Sequence, residues 1–145
     1  MKLLIAFVTI LVSSDIAYCD STALPNTEDC IKKSMLYPER DRQNYQNLCF
    51  VQIQRFCELN STKYADCIYN KALDIDGNAR KLLEKLPDNP SSIEIPKVLY
   101  KRNLDRLRNE SIEEHCESIR GLLSEECFLI SSFSRLVGAY WLRNK

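Results

Sequence analysis

The chain has 145 residues, with 20 Lys and Arg balanced by 20 Asp and Glu, one histidine, three glycines and seven cysteines. A formally neutral chain has no overall field to steer it toward nucleic acid or to insert it into an anionic membrane. A single imidazole excludes a ribonuclease built on two histidines, because one ring cannot serve as both acid and base.

The chain opens with Met1 and Lys2, followed by a ten-residue apolar run, "LLIAFVTILV", over residues 3–12. That length matches the apolar region of a secretory signal peptide. It is half the roughly 20 residues that a membrane-spanning helix needs. Ala17 and Cys19 occupy the small-residue positions of a cleavage site, so residues 1–19 are expected to be a signal peptide. Residues 20–145 then form one secreted domain with six cysteines: Cys30, Cys49, Cys57, Cys67, Cys116 and Cys127. An even set suits an oxidising compartment. Two Asn-x-Ser/Thr sequons, at Asn60 and Asn109, fit a secreted glycoprotein.

So few glycines argue against a protein of tight β-turns, and apolar residues recur at helical spacing instead. An opening helix is expected near residues 27–36. A second, led by Pro38, turns Tyr45, Cys49, Ile53, Phe56 and Cys57 to one face. Asn60 or Ser61 is placed to cap a third helix, which carries Tyr64, Cys67, Ile68 and Ala72 inward. "DGN" at 76–78 reads as a break, with a short helix over 79–86 beyond it. Pro96 opens a helix with Tyr100, Leu104 and Leu107 on one side. Ser111 and Glu114 have capping-box spacing ahead of Ile112, Cys116 and Ile119, and Gly121 punctuates. Ser124 starts the last helix, whose stripe is Cys127, Ile130, Phe133, Val137, Tyr140 and Trp141. The expected fold is an all-α, single-domain bundle of six or seven helices stapled by three disulfides.

Cys49 and Cys57 lie on one expected helix with about 12 Å of rise between them. A disulfide spans no more than about 7 Å between Cα atoms, so these two should not pair. Cys30–Cys49, Cys57–Cys67 and Cys116–Cys127 each straddle an expected helix break. The spacing favours this local pairing, with an interlocked pattern as the alternative.

Recognisable catalytic chemistry is sparse. There is no nucleophile elbow, phosphate loop or dinucleotide fingerprint. The pairs Glu113–Glu114 and Glu125–Glu126 fall in helix first turns, where carboxylates favour the positive end of the helix dipole. His115 and Cys116 are adjacent on a helix and point apart, which suits no zinc site. The sequence reads as a non-enzyme, with no cofactor and no metal. Residues 97–108, "KVLYKRNLDRLR", set Lys97, Lys101, Arg102, Arg106 and Arg108 against one Asp105. They form a candidate docking face for an acidic partner or a sulfated glycan, or else a solvated face balanced by Glu110, Glu113 and Glu114. The stripe over 127–141 is core, or the lining of a pocket for a small apolar ligand. Odorant-binding carriers are secreted six-cysteine helical proteins too. Their second and third cysteines, and fifth and sixth, stand closer together than Cys49–Cys57 and Cys116–Cys127 do.

The "MKLLIAFVTILV" leader, the opening "DSTALPNTEDC", the six cysteines and the Asn-, Tyr- and Lys-rich helices resemble one group in particular. They are similar to the small six-cysteine helical secreted proteins of mosquito saliva, of the neutrophil-stimulating-factor type. That resemblance implies a non-enzymatic effector delivered in saliva at a bite, which modulates the host's immune response by binding a host protein or a leukocyte receptor. It carries over no functional residues. The alternative is an odorant-binding-like carrier of a small apolar ligand.

Overall fold

A computed structural model of the chain describes residues 26–90, 94–118 and 124–145. Residues 1–19 with their cleavage site, and the expected punctuation at Gly121 with Ile119, lie outside the described residues. The described chain is all-α: six helices and no strand.

Helix α1 (Thr27–Ser34) starts where the Asn26 side chain accepts from the amides of Glu28 at 3.1 Å and Asp29 at 3.3 Å. Acids follow in its first turn and Lys32 and Lys33 in its last, complementing the helix dipole. Helix α2 (Glu39–Asn60) follows Pro38, whose ring pre-sets the entry. Helix α3 (Tyr64–Glu84) is led by Lys63 rather than by a capping Asn60 or Ser61. Ser61 instead closes a local turn with Lys63, accepting from its amide and donating to its carbonyl. After α4 (Lys97–Asn109) and α5 (Ile112–Ser118), α6 (Ser124–Arg143) closes the order.

The expected break at "DGN" does not occur, because α3 runs straight through Gly77. A mid-helix glycine costs about 1 kcal/mol against alanine, and packing outweighs it. Ile68, Ala72, Ile75, Ala79 and Leu83 keep one buried line across the glycine, and α3 lies along α6 as the main contact of the bundle. The residues expected in a separate short helix are the last turns of α3.

Helix α6 is central, packing on α3, α4, α5 and α1. This explains why its buried surface is wider than the expected stripe. Phe133, Leu136 and Tyr140 join Ile53, Ile68 and Ile75 in one cluster. Ala139 and Leu142 join Tyr100, Leu104 and Leu107 in another. Ile130, placed on the stripe by spacing, is 43% exposed. Gly138 permits the approach of α4, since a Cβ there would stand 2.9 Å from a methyl of Leu107. Phe50 meets Phe133 edge to face and Tyr69 meets Phe128 likewise, each with ring centroids 5.4 Å apart. Tyr45, expected inward, is exposed and stacks on Tyr37.

The disulfides follow the local pairing. Cys30–Cys49 ties α1 to α2, Cys57–Cys67 ties α2 to α3, and Cys116–Cys127 ties α5 to α6, with Cα separations of 5.9, 5.6 and 5.7 Å. Among the described residues no helix is long and apolar enough to cross a membrane.

Candidate functional site

Helix α4 divides the basic segment in two. Tyr100, Leu104 and Leu107 are buried, as their spacing predicts. The Tyr100 hydroxyl donates to the Pro87 carbonyl at 3.0 Å, and burial raises its pKa. On the outer side Lys97, Lys101, Arg102 and Arg106 are exposed. They do not pair with Glu110, Glu113 or Glu114 as a balanced face would. Among the described residues none of the four makes an ion pair. Val98 stands among them 83% exposed.

Arg108 departs from the expected docking set. Its side chain turns under the C-terminus of α3 and is half-buried. Nε and Nη2 donate to the Leu83 carbonyl at 3.2 and 2.9 Å, Nη2 also reaches Leu86 at 2.8 Å, and Nη1 meets Asp88 at 2.9 Å. The guanidinium thus closes carbonyls that the helix end leaves open and puts a cation at the negative end of its dipole. Replacing Arg108 by alanine should remove about 2–3 kcal/mol of stability in urea unfolding, the range for charge-assisted hydrogen bonds. Lysine, with one point charge and no fork, should recover only part of that. A loss below about 0.5 kcal/mol would return Arg108 to the solvated set.

Sequence reading missed the other arginine of consequence. Arg135, on α6, is 2% exposed. It donates through Nη1 to Asp76 and through Nη2 to the Glu110 carbonyl. Asp76 also accepts from Arg80, one turn along α3, at 2.6 Å. The signal was present: Arg135 sits at helical spacing between Ser132 and Ala139, and all three are buried. A groove of about 260 Å³ opens beside Arg135, between Arg106, Glu110 and His115. His115 lies exposed on α5.

The remaining expected positions fall as follows. Glu113 and Glu114 stand in the first turn of α5, and Glu125 and Glu126 in that of α6. Ser111 accepts from the Glu114 amide at 3.3 Å, while its hydroxyl donates to Glu113 rather than to a reciprocating Glu114. Asn60 and Asn109, the sequon residues, are exposed at the last residues of α2 and α4. Of the α6 stripe, Phe133 and Tyr140 are core, whereas Val137 and Trp141 line an open groove of about 430 Å³ with Met35 and Arg42. Tyr140 also donates to Glu28, which holds that carboxyl below its usual pKa with help from Lys32. Among the described residues no group of three or more His, Cys, Asp or Glu could hold a metal ion. Comparison with family models, with curated proteins and with solved structures finds no match.

Proposed function

We propose that the protein is a secreted, non-enzymatic effector that binds a host protein or a leukocyte surface through an exposed face. The observation that carries this reading is the outer side of α4. Lys97, Lys101, Arg102 and Arg106 stand there without an ion-pair partner among the described residues, around an exposed Val98. Unpaired cations beside an apolar side chain suit an acidic protein surface or a sulfated glycan, since complementary charge accelerates encounter and fixes register. Three disulfides support the extracellular setting.

Reversing two of these charges separates docking from folding. The double variant Lys101→Glu, Arg102→Glu should unfold within about 0.5 kcal/mol of the parent, because neither exposed side chain makes an ion pair among the described residues. Its binding to leukocytes or to heparin should weaken about tenfold or more, as attraction becomes repulsion. Unchanged stability with unchanged binding would move the partner to another face.

A further inference from the structure

We infer that α2 is a self-association face, on which a second copy of this chain docks antiparallel through Leu48. Helix α2 buries Cys49, Ile53 and Cys57. Its other side leaves Leu48, Val51 and Leu59 at 58, 52 and 60% exposed, with Tyr45 beside them. At about 100° per residue these four fall within roughly a third of the helix circumference. Tyr45, Leu48 and Val51 adjoin one another, with Leu59 beyond the exposed Arg55 on the same face, and exposed apolar patches mark interaction sites.

The order of residues along the face says what covers it. Laid antiparallel with the two Leu48 side chains meeting, α2 sets Tyr45 against Val51 of the second copy. Tyr37, which is exposed and stacked on Tyr45 with ring centroids 3.5 Å apart, widens that end of the contact. Asp41, which within its own chain meets the exposed Arg40 at 3.2 Å, comes opposite Arg55, and Arg40 lies within one turn of Glu58. Docking thus exchanges one exposed ion pair for two across the contact. The contact is isologous, so each pairing occurs twice. A parallel arrangement in register would set Asp41 on Asp41 and Arg55 on Arg55, so charge selects the antiparallel one. The face is also held in place. Cys49 and Cys57 anchor the opposite side of α2 to α1 and α3, so little ordering remains to be done on docking. Asn60, the sequon residue, falls about 120° around the helix from Leu48, off the contact line. One helix pair sits at the low end of interface sizes, so the dimer is reversible and depends on concentration.

Sedimentation velocity of the oxidised protein between about 1 µM and about 1 mM spans the affinities that such a contact allows. The sedimentation coefficient should rise from monomer toward dimer across that range. Leu48→Glu sets two carboxylates against each other and should abolish the rise. Arg55→Glu faces Asp41 and should weaken association about tenfold. Adding Asp41→Lys to Arg55→Glu exchanges the pair and should restore association. All these side chains are outside the core, so thermal unfolding should report intact folds. The proposal is overturned by a monomer at every concentration, by a dimer that survives Leu48→Glu, or by an exchange that restores nothing.

Discussion

Full reduction of the three disulfides is expected to unfold the protein near physiological temperature. The bonds close loops with sequence separations of 19, 10 and 11 residues. In the chain-entropy account each such loop contributes about 3 kcal/mol. Together they approach the whole stability of an ordinary domain, about 5–15 kcal/mol. Far-UV circular dichroism with and without reductant should therefore show a midpoint lower by roughly 20 °C or more. Paired alanine substitutions should grade the three. Cys57 is fully buried within the main cluster of α2, α3 and α6, so losing its bond to Cys67 should be the most damaging. The Cys116–Cys127 bond joins short α5 to α6 in a small satellite cluster with Ile112. Losing it should free α5 to exchange its amide hydrogens while the rest of the bundle stays protected. A reduced protein that melts within a few degrees of the oxidised one would show that packing alone holds the bundle.

The sequence favoured the observed disulfide pairing over an interlocked one because local geometry narrows the choice. Two cysteines on one helix are too far apart to bond, and Pro38 and residues 60–62 place the folds of the chain between Cys30 and Cys49 and between Cys57 and Cys67. The amphipathic line of α4 was legible for the same reason: Tyr100, Leu104 and Leu107 repeat at helical spacing. Gly77 misled because a local propensity of about 1 kcal/mol was weighed without the packing that crosses it. Ile75 and Ala79, on either side of the glycine in α3, are both buried in the cluster that α3 shares with α6.

The candidate site was legible only as a composition. Residues 97–108 could be seen to be basic, but not which cations find a partner. Arg108 reaches Leu83 and Leu86 from more than 20 positions away. No local pattern distinguishes it from Arg106, two residues earlier. Lys97, Lys101 and Arg102 are informative for the opposite reason, since none of them forms an ion pair among the described residues. The docking reading thus rests on what tertiary structure leaves unpaired.

Breaking the charge pair at Asp76 should be the most harmful single change outside the disulfides. Arg135 is 2% exposed, and Asp76, with 19% of its side chain exposed, is its sole counter-ion among the described residues. Asp76→Ala would leave a buried guanidinium without an anion, which costs about 3–5 kcal/mol. It would also release Arg80, whose pKa is raised chiefly by its hydrogen bond to Asp76. Arg135→Met is a different experiment. It removes the buried charge itself, while Asp76 keeps Arg80 at 2.6 Å. The Glu110 carbonyl loses a donor, but Arg135 was already incompletely satisfied, since its buried Nε has no hydrogen-bond partner among the described residues. Methionine fills a comparable shape, so the loss should be about 1 kcal/mol or less. The double variant, Asp76→Ala with Arg135→Met, should then be more stable than Asp76→Ala alone by about 2 kcal/mol, because the stranded charge has gone. Urea midpoints for the three variants test this directly. Losses that simply add, or an Asp76→Ala variant within about 1 kcal/mol of the parent, would mean that water reaches Arg135 and the pair holds little of the bundle together.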